Sequence, residues 1–138
     1  MKNDDCYYVD IKSNQESDGR LLVVENNTMQ IPFDIKRIFW IRDVKANAER
    51  GNHATKRTNI VLIAISGSCD VVVNNGKEEV TYHLDNPLKG LYVKNMLWRT
   101  IKNFSKDCII EAVCDRKYSA TDETFEDFDE YLRALNGN

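Results

Sequence analysis

Apolar and polar residues alternate, or gather in short apolar blocks, along most of the chain, with turn signals every 8–12 residues or so. Cys6–Ile11 and Arg20–Glu25 have the character of two short strands around a polar turn, Ser13–Gly19. Pro32 interrupts the pattern, because proline cannot donate to a ladder. Arg37–Val44 then alternates, with Arg37, Phe39, Ile41 and Asp43 on one face and Ile38, Trp40, Arg42 and Val44 on the other. Both faces mix apolar and charged groups, which suits a barrel strand lining a polar cavity. Thr58–Ser66 is apolar on both faces, as a fully covered strand should be. Cys69–Val73 and Lys77–Leu84 flank Asn74-Asn75-Gly76, residues that tolerate the positive φ of tight hairpins. Further strands are predicted at Gly90–Val93, Met96–Phe104 and Cys108–Cys114. The spacing predicts an all-β sandwich or barrel in a single domain over residues 1–138.

The period changes near the C-terminal end. Phe125, Phe128, Tyr131, Leu132 and Leu135 form an amphipathic helical stripe, predicting a helix over 122–136. Thr121 is its candidate N-cap, and Asp122 and Glu123 put negative charge in the first turn, where the helix dipole favours it. Burial of such side chains, at about 1.5–3 kcal/mol each, would make the helix a clasp on the barrel.

Composition narrows the classes of function. A chain of 138 residues builds one core. A formal charge of −3 and a pI of about 5.4 leave no general electrostatic footprint for nucleic acid or an anionic membrane, so any anion site must be local. The longest apolar run, Ile60–Ile65, is far short of the ~20 residues of a membrane span. The N-terminus leads into no signal-peptide core, and the cytoplasm is the simplest expected location. Cys6, Cys69, Cys108 and Cys114 show no CxxC spacing and read as buried thiols.

Candidate chemistry gathers in Glu49–Arg57, which holds one of two histidines between a glycine and several basic or hydrogen-bonding side chains. His53 and Thr55 lie two apart and share a face in extended structure, from which a barrel could project them into a closed mouth. A lone histidine near a strand can equally be structural. A metal site wants several converging imidazoles with a carboxylate, whereas Thr55 stands two beyond His53 and His83 lies on another segment, so no metal and no cofactor are expected. In Trp98-Arg99, an indole could stack on a base or sugar and a guanidinium could hold a phosphate or carbonyl oxygen, or the tryptophan could simply be core. Arg37, Arg42, Arg50, Lys56 and Arg57 bracket the expected cavity.

The run Arg37-Ile-Phe-Trp-Ile, then Arg50-Gly-Asn-His53-Ala-Thr-Lys56, Ser66-Gly-Ser68, Leu84-Asp-Asn-Pro87, Gly90-Leu-Tyr92 and Leu97-Trp98-Arg99, resembles the cupin-fold dTDP-sugar 3,4-ketoisomerases over almost the whole chain. The resemblance implies an all-β cupin jelly-roll barrel, like that of the RmlC sugar epimerases, with one C-terminal helix. It further implies a homodimer with N-terminal strands exchanged and a dTDP-linked keto-sugar as the partner molecule. The activity it implies moves the keto group of a dTDP-4-keto-6-deoxyhexose from carbon 4 to carbon 3 without a metal, through an enediol, in surface-polysaccharide sugar biosynthesis. Such chemistry needs a base aimed at the proton beside the carbonyl and stabilisation of the developing oxyanion.

Two departures stand out. The family stretch His-Ala-His is here His53-Ala54-Thr55, and threonine cannot replace imidazole as a base, although its hydroxyl can orient an oxygen. Trp40 stands where a tyrosine is common, which removes a phenol from the Arg37 strand. Two readings follow: an isomerase in which His53 and Arg99 are catalytic, or a non-catalytic sugar-nucleotide-binding or regulatory cupin. In either, Arg37, Arg50, Thr55, Lys56, Tyr92 and Trp98 are the expected ligand contacts.

Overall fold

The computed structural model describes residues 1–2, 4–121 and 123–137. Twelve strands run in chain order: β1 (Cys6–Asp10), β2 (Lys12–Glu16), β3 (Gly19–Val23), β4 (Arg37–Ile41), β5 (Arg50–Thr55), β6 (Ile60–Ser66), β7 (Cys69–Asn74), β8 (Glu79–Leu84), β9 (Lys89–Val93), β10 (Trp98–Lys102), β11 (Ile109–Cys114) and β12 (Thr124–Phe125). One helix, α1 (Phe128–Leu135), follows. Two five-stranded antiparallel sheets have the orders β1-β9-β6-β11-β4 and β12-β5-β10-β7-β8. Taking β4 to β11 as eight successive strands, the sheets read 4-11-6-9 and 5-10-7-8, the strand order of a jelly roll.

The alternation along each strand explains the layers. Inward residues of both sheets, among them Leu62, Ala64, Val71, Val73, Leu91, Val93 and Ile110, form the main core between them. All four cysteines are free and buried, and Cys6, Cys69, Cys108 and Cys114 belong to that core. β6 is apolar on both faces because its outer side is covered as well. There Val61 and Ile63 pack with Val9, Ile31, Phe33 and Val113 beneath the segment that follows β3.

Two expectations are corrected. The stretch Ser13–Gly19 is not one turn: Lys12–Glu16 pairs residue by residue with Gly19–Val23 as a separate two-stranded hairpin. Lys12–Glu16 is mostly exposed and polar, so no apolar period reveals it, while Gly19–Val23 falls on the strand expected at Arg20–Glu25. The helix does not begin at Thr121. Thr124 and Phe125 pair with Thr55 and Ala54, extending the second sheet, and Asp127 is the N-cap. Its carboxylate accepts the amides of Asp129 (2.8 Å) and Glu130 (3.3 Å), which fixes the helix start. Asp122, expected in the first turn, lies outside the described residues.

The helix clasps the outer face of the second sheet chiefly through Tyr131. Its ring is fully buried and its hydroxyl lies 3.1 and 2.9 Å from the carbonyl oxygens of Asn74 and Met96. Phe128 and Leu135 stay partly exposed. Gly76 permits this docking: it sits at φ +90°, and a Cβ there would come within 2.7 Å of Leu135 Cδ1.

Candidate active site

One side of the sandwich, between edge strand β4 and strand β5, opens into a cavity of about 460 Å³. Arg37 and Phe39 supply one wall, His53, Thr55 and Arg99 the opposite one, and Tyr118–Ala120 with Glu123, Thr124 and Glu126 close over the gap. The inward face of β4 is the one that carries Arg37 and Phe39; the alternation finds both faces mixed and does not choose between them. Its other face leaves Ile38 and Trp40 exposed, with the indole N–H donating to Glu111 at 3.0 Å.

His53 is aimed by a β-bulge. Trp98 pairs with Ala54 and Arg99 with His53, but Thr100 pairs with Gly51, so Asn52 is an extra residue in β5. Gly51 at φ +85° and Asn52 at φ 58° take up the left-handed backbone this needs. A Cβ on Gly51 would stand 2.9 Å from the Arg99 carbonyl oxygen, so a side chain is excluded there. Asn52 suits the extra position because its side-chain oxygen accepts the Thr100 hydroxyl at 2.8 Å. The result is a histidine directly opposite an arginine on neighbouring strands.

The imidazole is held in one tautomer. Nδ1 lies 3.1 Å from the Gly51 carbonyl oxygen, which can only accept, so Nδ1 carries the proton and Nε2 the lone pair. Nε2 faces the cavity with Arg99 Nη2 at 3.5 Å. Burial, and then the Arg99 charge, draw the imidazole down to about 4, against the opposing pull of the Gly51 hydrogen bond and of Glu126. At neutral pH His53 is thus an uncharged base.

Arg99 is 5% exposed, and burial lowers its guanidinium to about 10, still fully charged at neutral pH. Among the described residues its buried Nη1 has no hydrogen-bond partner, and neither has the buried Nε of Arg37. Arg37 spends Nη2 on Cys114 Sγ (3.6 Å) and lies over the rings of Phe39 and Tyr118. Two buried donors left open in one cavity form a ready cradle for an oxygen anion, since an unsatisfied buried donor is costly until a ligand satisfies it. Thr55 lines the same space, but its hydroxyl proton is given to the Thr58 carbonyl at 2.8 Å. The hydroxyl oxygen can still accept.

The other expected contacts lie elsewhere. Trp98 neighbours Arg99 in β10 and therefore faces the opposite side, where it packs against Phe128 and Tyr131 with ring centroids 5.1 and 5.6 Å apart. Tyr92 alternates with the core residues Leu91 and Val93, and so points outward to stack on Tyr7 at 4.9 Å. Lys56, just past β5, lies over the Phe125 ring. Arg50 lines a separate surface groove with Trp40 to Lys45.

Two carboxylates were not expected at the site: Glu123, which the sequence placed in the first turn of the helix, precedes β12 instead, and Glu126 was not singled out. Glu123 is buried and locks the closing segment in place: Oε1 accepts Arg57 N–H (3.2 Å), Thr58 N–H (3.0 Å) and the Thr58 hydroxyl (2.7 Å), and Oε2 accepts Arg57 Nε (3.2 Å). Burial pushes its carboxyl up, and these hydrogen bonds outweigh it, leaving it below the ordinary carboxylate range. Glu126 also lines the cavity. Among the described residues no three His, Cys, Asp or Glu side chains converge as an ion would require, and no helix is long and apolar enough to cross a membrane.

Comparison with known proteins gives a consistent picture. Residues 4–136 match the family described as FdtA: WxcM-like, C-terminal. The chain is 36% identical over 132 residues, 93% of each chain, to a TDP-4-oxo-6-deoxy-alpha-D-glucose-3,4-oxoisomerase of Aneurinibacillus thermoaerophilus. Its fold superimposes on the WlaRB TDP-quinovose 3,4-ketoisomerase of Campylobacter jejuni with a TM-score of 0.89 at 37% identity, covering 96% of this chain and 99% of that one. It is also similar to the QdtA 3,4-ketoisomerase of Thermoanaerobacterium thermosaccharolyticum, solved as a mutant in complex with TDP-4-keto-6-deoxyglucose. There the TM-score is 0.92 at 27% identity, over 99% and 97% of the two chains.

Proposed function

The chain belongs to the FdtA family of WxcM-like C-terminal domains, and on that premise we propose that it is a sugar-nucleotide 3,4-ketoisomerase acting on a dTDP-4-keto-6-deoxyhexose. The observation that carries this reading is the pairing of a neutral His53, its lone pair turned into the cavity, with the open buried donors of Arg99 and Arg37. A base beside an oxyanion cradle is what removal of a proton next to a carbonyl demands.

His53 Nε2 takes the carbon 3 proton, Arg99 and Arg37 hold the oxygen on which charge develops, and the protonated imidazole returns the proton at carbon 4. Thr55 orients a substrate hydroxyl by accepting from it. The product feeds surface-polysaccharide sugar synthesis, as the resemblance implies.

Incubating the protein with dTDP-4-keto-6-deoxyglucose in heavy water and following mass and sugar identity tests the reading. A 3-keto product appears, with deuterium on carbon wherever the imidazole proton exchanges with solvent. Binding of dTDP with neither conversion nor exchange would leave the non-catalytic reading instead.

The functional unit in this proposal is a homodimer. Ile38, Trp40 and Ile65 are 43%, 57% and 42% exposed on the outer face of the first sheet, and β2–β3 pairs with no other strand, which makes that hairpin the element for exchange. Sedimentation should give twice the 16.0 kDa chain mass, and a single-chain mass would remove the dimer from the proposal.

A further inference from the structure

An isomerisation between neighbouring carbons moves two protons, and His53 accounts for only one. The proton on oxygen 3 must also reach oxygen 4, and that transfer needs a group able to accept and release a proton between the two oxygens. Thr55 cannot fill the place, because a hydroxyl does not ionise near neutrality and its own proton is committed to Thr58. Glu123 is occupied on both oxygens by Arg57 and Thr58. Tyr118, 75% exposed, has its ring held against Arg37, and Glu126 is exposed as well, so exposure does not separate the two; a carboxylate can take up a proton, whereas a neutral phenol must first give one up. Arg37 and Arg99 only donate. Among the described residues that line the cavity, Glu126 is the remaining acid–base group, and no hydrogen bond or ion pair of those residues takes up its carboxylate. Its charge reaches His53, where it is the smallest of the influences on the imidazole and acts against burial and Arg99.

We propose that Glu126 is the second catalytic residue, relaying the hydroxyl proton between oxygen 3 and oxygen 4 while His53 carries the carbon proton. This role rests on the isomerase reading above. The balance is complete without another reactant. His53 Nε2 removes the carbon 3 proton; the C–H pair becomes the carbon 3–carbon 4 π bond, and the carbonyl π pair moves onto oxygen 4, facing Arg99. Glu126 accepts the oxygen 3 proton and, as a carboxylic acid, gives that same proton to oxygen 4, so that the carboxylate ends as it began. The oxygen 3 pair then forms the new carbonyl, and the π pair takes the proton from His53 at carbon 4.

Glu126→Gln keeps the size and polarity of the side chain and removes the proton relay. Turnover of dTDP-4-keto-6-deoxyglucose should fall about 10²-fold or more, with dTDP affinity unchanged and Glu126→Asp recovering part of the rate. In heavy water the first step still runs forward and back, so deuterium entry at carbon 3 of unconverted substrate should outpace product formation in the Gln variant. If Glu126→Gln forms product at the wild-type rate, loses dTDP binding in parallel, or slows exchange and conversion equally, Glu126 is not the relay. If the wild type itself neither exchanges nor converts, the isomerase reading fails and takes this role with it; conversion by the wild type matched by the variant removes Glu126 alone.

Discussion

Replacing His53 by asparagine lowers turnover about 10²–10⁴-fold, the usual contribution of a positioned general base. Asparagine can still donate to the Gly51 carbonyl that holds Nδ1 at 3.1 Å, so the bulge and the cavity wall remain and dTDP binding persists. The wild-type pH profile follows from the same group. Burial and Arg99 hold the imidazole at about 4, and the neutral form is the base, so the rate rises with pH through that value and is level at neutrality. A histidine with its ordinary value would instead show its acid limb near pH 6.5. Steady-state kinetics on both proteins check this, and deuterium exchange by His53→Asn at the wild-type rate would show that another group is the base.

The second large effect falls on stability. Glu123→Ala strips the acceptor from the Thr58 amide and hydroxyl and from Arg57, leaving buried donors in a residue only 3% exposed. Two buried neutral donors left unsatisfied together cost about 2–5 kcal/mol, which lowers Tm by about 10 °C in a chain of this size. KM rises as well, because Glu123 belongs to the segment that closes the cavity. Glu123→Gln keeps an acceptor for Thr58 and loses only the charge facing Arg57, so its effect is smaller. The hydrogen-bonded carboxyl lies below its ordinary 4.5, so this stabilisation is complete above that pH and fades as pH falls through the lower folded value. Thermal melts of the two variants decide the matter; an alanine variant that melts with the wild type would show that Glu123 does not secure the segment.

Much of this architecture was legible because strands with one covered face declare themselves by alternation. The mixed faces of Arg37–Val44 pointed to a cavity strand, and the shared face of His53 and Thr55 follows from the same rule. Applied to Trp98-Arg99, that rule also separates two neighbours that chemistry alone would put in one site. Strand β2 escaped notice because Lys12–Glu16 is mostly exposed and polar, whereas its partner β3 falls on the strand expected at Arg20–Glu25. Phe125 fell in step with the helical stripe by coincidence: its ring serves a sheet edge. Glu123 and Glu126 could not be told from solvated acids at a helix start, since the closing segment has no period to show which way its side chains turn. The Gly51-Asn52 pair carried a usable signal, two residues that tolerate left-handed backbone beside a candidate base, but only the register reveals the bulge.

The order in which the cavity walls occur along the chain has a consequence for how the molecule is made. Arg37 and His53 leave the ribosome early, yet His53 has no partner strand until β10 is synthesised, and the roof follows only with Tyr118–Ala120, Glu123, Thr124 and Glu126. The contacts that join one wall to another, His53 with Arg99, Arg37 with Cys114 and Thr58 with Glu123, link distant parts of the chain, the costliest kind to close and the slowest to form. A nascent chain can therefore hold the base long before it holds a chamber around it, and the reactive geometry is among the last features to arise in biosynthesis.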